Sequence, residues 1–375
     1  MKILVNLSVY QGKVLKILNE NPDSQDLQIS VNYYSNVNQT NNNLNNHYHY
    51  FLTRAKLYKS FCTPARIGDI VLINRTAQEL ALGTGGLDYV ISNLSFPSIN
   101  HFDKGHIMKL RYTPLQFGVQ TIEETQEYKI KERNFNDLNG TPVAVGELHS
   151  MLMPFTVAIK KLRPQWKIAY IMTDAGALPM QFSKAVTKLK AEGLLDHTIT
   201  TGNAFGGEIE TVNLFSALIT AYSILKVDIV VILMGPGIVG TGTKYGFSGI
   251  EQLFSLYAID KLSGRKYLIP RVNFQDNRVR HQGLSHHTLT ILSHAYNINL
   301  TFPTMGTKYE GLLLDQLTKD QEIAARHTIS WINGKECHGI FKNSGLQMET
   351  MGRKINDEPK FFETIWVTAK KIVME

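Results

Sequence analysis

From Asn139 onward, six short apolar runs alternate with stretches of helical periodicity. This alternation constrains the fold more than any other feature of the chain. The runs are "PVAVG", "KIAYIMT", "HTITTG", "VDIVVILM", "KYLIPRVNF" and "INLTF". Between them lie "PMQFSKAVTKLKAEGLL", "ETVNLFSALITAYSIL", "GIEQLFSLYAIDKL" and "SHHTLTILSHAY". In the first of these, Phe182, Val186, Leu189 and Leu194 recur at helical spacing, and Gly193 closes the pattern. Strands that alternate with helices predict a Rossmann-like, mostly parallel sheet with helices on both faces. The stretch "PKFFETIWVTAKKIVM" predicts a terminal helix, and no fixed-period repeat competes with this reading.

The first third has a different rhythm. "GKVLKIL", "DLQISVNYY", "YFLTRAKLY", "IGDIVLIN" and "YVISNL" are short runs rich in Val, Ile, Leu and Tyr, separated by Gly, Asn, Pro and Asp. They predict a β-rich, barrel- or sandwich-like domain. The two domains are expected over residues 1–135 and 136–375. The Asn-rich stretch from Ser35 to His49 reads as a hairpin tip, with His47 and His49 solvated rather than metal-bound.

In an open α/β sheet, ligands bind outside the carboxyl ends of the strands. The chain's unusual residues fall there. Glu147 and His149 follow the first run, Asp174 the second, and Asn203, Glu208 and Glu210 the third. Asp276, Arg278, Arg280, His281, His286 and His287 follow the fifth. With the glycine-rich loop that follows the fourth run, five such loops on one edge predict a concave polar site. Glu147 and His149 would share a face if the strand continued, with the acid orienting the imidazole. An exposed pair is the plainer alternative. Asp174 is a candidate for proton transfer or a simple turn residue. Glu210 reads as the acidic start of a helix, while Glu208, directly after two glycines, stays a binding candidate.

Ser285 is a credible N-cap, which puts His286 and His287 in a first helical turn, where the dipole keeps an imidazole neutral. Adjacent helical residues point about 100° apart, so the two are not expected to serve one metal. His281 could join them from the loop. No H-x-x-x-H or H-E-x-x-H spacing is present, and no metal ligand is assigned. Arg278 and Arg280 have the planar fork that suits phosphate or carboxylate, against the alternative of two surface arginines.

The fourth run leads into "MGPGIVGTGTKYGFSG", in which Gly235, Gly237 and Gly240 match the dinucleotide spacing G-x-G-x-x-G. That fingerprint needs a helix starting within the motif and an acid about 20 residues on. Glycines continue at Gly242, Gly246 and Gly249, so a helix is not expected before about Ser248. The order G-T-K at Gly242–Lys244 also reverses that of a P-loop. What remains is a flexible-backbone loop whose amides, with Thr241, Thr243 and Lys244, could face an anion.

Composition excludes several classes. The net charge of +7 comes from dispersed Lys and Arg, without the basic cluster and interleaved aromatics of a nucleic-acid face. Cys62 and Cys337 form neither a disulfide framework nor a zinc ribbon. No apolar stretch approaches the roughly 20 residues of a membrane span, and "MKILVNLSVYQG" does not read as a signal peptide. A cytoplasmic protein without membrane or nucleic-acid partners is expected, with homo-oligomerisation open.

The strings "INRTAQELALGTGGLDYVISNL", "GHIMKLRYTPLQ", "GELHSML", "TDAGALP", "AFGGEIETVN", "MGPGIVGTGTKYGFSGIEQ" and "GLSHHTLT" together resemble a bacterial domain-of-unknown-function family. The similarity runs from about Ile67 to the terminal helix. It implies a cytosolic bacterial protein and transfers no activity and no cofactor.

The reading that follows is an enzyme acting on a small anionic metabolite, phosphate- or nucleotide-containing. Gly235, Gly237, Gly240, Thr241, Gly242, Thr243, Asn203, Glu208, Arg278, Arg280 and His287 would line the ligand. Asp174, His149, His286 and Glu147 would supply chemistry. A non-catalytic nucleotide or metabolite sensor is the alternative. A nicotinamide oxidoreductase stands last, because the fingerprint lacks its context.

Overall fold

The computed structural model describes residues 6–36, 46–82, 85–100, 104–174, 176, 178–319 and 321–375. Residues 37–45 of the Asn-rich stretch therefore lie outside the described residues. The chain forms two compact units, Met1–Phe102 and Asp103–Glu375.

The first unit contains β1 (Val9–Glu20), β2 (Ser24–Asn36), β3 (Asn46–Tyr58), β4 (Ile70–Asn74), a single helical turn α1 (Thr76–Glu79) and β5 (Asp88–Asn93). The strands close a barrel in the order β1-β2-β3-β5-β4, with β4 pairing back onto β1. Alternation explains the closure. Leu27, Ile29 and Val31 of β2 and Val71 and Ile73 of β4 point inward and are fully buried, while their neighbours face out. Register shifts at Val14/Lys16 and Ile17/Asn19 let the long β1 bend around the barrel. The expected β-rich barrel is thus present.

The second unit opens with a hairpin, β6 (Ile107–Lys109) and β7 (Phe117–Val119), and α2 (Gln126–Arg133). Then come β8 (Pro142–Gly146), α3 (Leu152–Leu162), β9 (Ile168–Thr173), α4 (Lys184–Ala191), β10 (His197–Thr201) and β11 (Ile209–Thr211). They are followed by α5 (Leu214–Ile219), β12 (Ile229–Met234), α6 (Gln252–Lys261), β13 (Arg265–Ile269), β14 (Val272–Asn273), β15 (Gly283–Leu284) and α7 (His286–His294). The chain ends with β16 (Asn299–Pro303), α8 (Thr307–Thr318), α9 (Gln321–Arg326), β17 (Thr328–Ile332), α10 (Cys337–Asn343), a small hairpin of β18 (Glu349–Thr350) and β19 (Arg353–Lys354), and α11 (Pro359–Met374).

Eight strands form one sheet in the order β11-β10-β9-β12-β8-β13-β16-β17, and every neighbouring pair is parallel. The strands are apolar on both sides because both sides are covered. Tyr170, Val231 and Tyr267 pack with Phe155 of α3, Val186 of α4 and Trp366 of α11. Val145, Ile171 and Ile232 pack on the other face with Leu218 of α5, Ile259 of α6 and Ile291 of α7. The run "KYLIPRVNF" is two strands rather than one. Pro270 cannot donate to a ladder, so β13 stops at Ile269 and β14 pairs with β15 outside the sheet.

The chain leaves β8 for β9, works outward to β11, then returns so that β12 inserts between β9 and β8. The helix after β8 packs on one face and the helix after β12 on the other. The carboxyl ends of β8 and β12 therefore flank a topological switch point. Among the described residues no helix is long and apolar enough to cross a membrane.

Candidate functional site

Glu147 is the first residue after β8 and is 2% exposed. Its Oε1 accepts a hydrogen bond from Nδ1 of His287 at 2.5 Å and another from Nη1 of Arg271 at 3.2 Å. Its Oε2 is buried without a hydrogen-bond partner among the described residues. The strand ends at Gly146, so the same-face pairing with His149 does not form. The acid does orient a histidine, but one that lies 140 positions away in sequence.

Three histidines gather at the start of α7. Ser285 caps this helix as its sequence predicts, its Oγ accepting from the His287 amide at 3.3 Å. Nδ1 of His286 donates to the Arg280 carbonyl oxygen at 3.3 Å, and Nδ1 of His281 meets Ser285 Oγ at 2.8 Å. The His287 ring lies flat on Phe247, with centroids 3.9 Å apart and an interplanar angle of 3°. The rings of His286 and His287 stand 4.2 Å apart, and His281 lies 4.8 and 5.2 Å from them. The 100° between adjacent side-chain directions is overcome by the reach of the imidazoles. Burial pushes the His281 imidazole down to about 3, with Arg271 and Arg278 adding to the effect. Burial and the neighbouring His287 lower that of His286 too.

The glycine-rich loop faces this cluster. It closes on itself as a hairpin-like turn, with the Thr241 amide donating to Gly246 O at 2.8 Å and the Gly246 amide to Thr243 Oγ1 at 3.1 Å. The hydroxyls of Thr241 and Thr243 lie 2.9 Å apart. The tip from Val239 to Tyr245 is exposed, so the loop is not packed shut. Gly237 and Gly242 have φ of 102° and 81°, a region that other residues rarely adopt. A Cβ on Gly242 would stand 3.6 Å from Cζ of Arg280, and one on Gly240 would stand 3.7 Å from Nε2 of His287. Lys244 lies over the Tyr245 ring at 5.3 Å. A short 3-10 turn at Ser248–Glu251 leads into α6, so the early helix of a dinucleotide fingerprint is missing.

The remaining candidates go elsewhere. Arg278 is committed to Asp276, through Nε at 2.9 Å and Nη2 at 2.7 Å. This pairing holds the Asp276 carboxyl well below the usual carboxylate range. Asp174 is exposed and accepts from the Asn203 amide at 2.9 Å, while Asn203 Oδ1 accepts from the Leu110 amide at 3.0 Å. His149 bridges Ser183 Oγ at 2.6 Å and the Met234 carbonyl at 3.3 Å, and burial pushes its imidazole down to about 4. Glu208 pairs with Lys190 at 2.5 Å and accepts from the Thr198 amide at 3.1 Å.

Glu210 corrects an expectation. It sits in β11 and does not start a helix. Its carboxylate takes Lys109 at 2.5 Å and Thr200 Oγ1 at 2.7 Å, while Asn213 caps the following helix. The structure also brings in two residues that the sequence reading passed over. Arg271 is 4% exposed, and its only signal was a charge directly after Pro270 in an apolar run. Phe247 looked like one more loop residue. A cleft lined by Asn273, Phe274, Tyr309 and Glu358 shares no residue with the histidine cluster.

The cluster that forms is therefore Glu147, Arg271, His281, His286 and His287, with Arg280 and the backbone of Gly240 and Gly242 at its edge. It combines three clustered imidazoles, two of them pushed down by burial, a guanidinium fork that pairs with no acid among the described residues, and an exposed glycine backbone. No curated protein matches the chain. The chain belongs to a family described as protein of unknown function (DUF3866), whose profile matches residues 54–369.

Proposed function

We propose that this member of the DUF3866 family is an enzyme acting on a small anionic metabolite, bound where the glycine loop meets the start of α7. One observation carries the reading. The Arg280 guanidinium lies against Gly242, beside the histidine cluster and at the sheet's topological switch point. Arg280 would take the anion in its planar fork, and the Gly240–Thr243 backbone would close on it. His281 and His286, whose imidazoles burial pushes down, supply groups that accept protons or donate lone pairs near neutral pH. Glu147 would hold His287 in one tautomer, as carboxylates do for working imidazoles. Asp174 and His149, engaged elsewhere, are not assigned chemistry.

Thermal shift with phosphate, pyrophosphate and a panel of nucleotides tests this reading on wild type and on Arg280→Gln. Stabilisation by at least one anion, lost in the variant, is expected. Equal responses in both proteins would remove Arg280 from the site.

A further inference from the structure

We propose that His281, His286 and His287 together hold one divalent transition-metal ion, with zinc the best match. One ligating atom from each residue lies within 4.8 Å of the others. The inference stands on the histidine geometry and does not need the anion reading above.

Tautomers carry the argument. A backbone carbonyl can only accept, so Nδ1 of His286 must bear the proton that reaches Arg280 O. Oε1 of Glu147 already accepts from Arg271, so Nδ1 of His287 bears the proton that reaches the same oxygen. Both rings are left with a lone pair on Nε2. Ser285 Oγ beside Nδ1 of His281 can complete the same pattern. Metal-binding histidines are held in this way, by a carboxylate or carbonyl on the nitrogen away from the metal.

One further observation points to a ligand. Nε2 of His286 is buried and has no hydrogen-bond partner among the described residues. Buried polar atoms are seldom left so. The flat contact with Phe247 fixes the His287 ring plane, and Gly240 leaves room in front of its Nε2.

Charge and distance are compatible. Arg271 and Arg278 are positive neighbours, but Glu147 and Asp276 pair with them. Tetrahedral zinc with Zn–N of about 2.1 Å places its nitrogens about 3.4 Å apart. Reaching that from 4.8 Å takes a shift of about 1 Å or less per ring. Three imidazoles select zinc, cobalt, nickel, copper or iron over magnesium and calcium, and they leave one position open for water or an anionic oxygen.

The test uses the full chain, stripped with chelator and titrated with Zn²⁺ and, separately, Co²⁺. One equivalent is expected to bind, and Co²⁺ is expected to give the visible bands of a low-coordinate nitrogen site. His281→Ala/His286→Ala is expected to abolish both signals, and Glu147→Gln to weaken binding by about ten- to a hundredfold. His106→Ala, at an exposed histidine outside the cluster, should leave binding intact. Should the double variant fail to fold, the wild-type cobalt spectrum still decides. Absence of stoichiometric binding, octahedral water-type cobalt bands, or full binding by a folded double variant would each overturn the proposal.

Discussion

Oε1 of Glu147 accepts from both His287 Nδ1, at 2.5 Å, and Arg271 Nη1, at 3.2 Å. One buried carboxylate thus ties the end of β8 to β14's edge and to the first turn of α7. Removing it takes the hydrogen-bonded carboxylate from a buried guanidinium and leaves only the longer pairing with Asp276 at 3.8 Å. Glu147→Ala is therefore expected to destabilise the chain by about 3–5 kcal/mol, read as the midpoint shift in urea unfolding. Glu147→Gln, which keeps volume and one acceptor, should cost less. A stability change under about 0.5 kcal/mol for the alanine variant would mean that this network does not hold the loops together.

Arg280 is exposed and lies against Gly242, with no acidic partner among the described residues. Arg280→Gln should leave the unfolding midpoint within about 0.5 kcal/mol of wild type. A charge-assisted contact of about 1.5–3 kcal/mol converts to about ten- to a hundredfold in anion affinity. Calorimetry with the best-responding anion reads this directly. Arg278→Gln should do the reverse, lowering stability by removing two charged hydrogen bonds to buried Asp276 while sparing affinity.

The sheet was legible because both faces of a parallel strand are apolar, and runs such as "VDIVVILM" alternate with stretches of helical period. The positions of Ser285 as a cap and of the terminal helix were legible for local reasons: cap chemistry and helical period act within a few residues. The site was only half legible. That polar loops share one edge follows from topology, so Glu147, Arg280, His286 and His287 could be named together. Which acid meets which imidazole could not, because the contact spans 140 positions and depends on the strand stopping at Gly146. The three-histidine cluster is local in sequence, but its spacing matches no metal-ligand signature. It forms from a loop residue and two adjacent helix residues whose rings swing together.

Lys109 offers a test of the other polar cluster. It is 1% exposed, and its ammonium meets Glu210 and the Ala204 carbonyl. Lys109→Ala leaves Glu210 facing the β10 edge without its cation, and a loss of about 3–5 kcal/mol is expected in chemical unfolding. Since neither residue touches the histidine cluster in any observed contact, anion and metal affinity of the folded variant should be unchanged. Loss of ligand binding at unchanged stability would contradict this division.

His149 sets a pH dependence. Its imidazole titrates at about 4 in the fold because burial disfavours the charged ring, against about 6.5 in an unfolded chain. Between these values the unfolded state binds the extra proton, so stability rises with pH. The contribution is fully present above about 6.5 and is lost as pH falls towards about 4. One such group contributes at most about 1.4 kcal/mol per pH unit. His149→Gln should flatten the acid-side slope of unfolding free energy by up to that amount, and an unchanged slope would show that His149 does not stay neutral in the fold.

The central claim is that the carboxyl edge of the sheet, between the glycine loop and α7, is where the protein meets its ligand. Backbone amide shifts of the full chain, followed by NMR as pyrophosphate is added, test it most directly. The account predicts saturable shifts centred on Gly240, Gly242 and Thr243, with the His286 amide moving alongside and all of them lost in Arg280→Gln. Saturable shifts confined to the barrel, to the Asn273–Glu358 cleft or to the Asp174–Asn203 turn would contradict it.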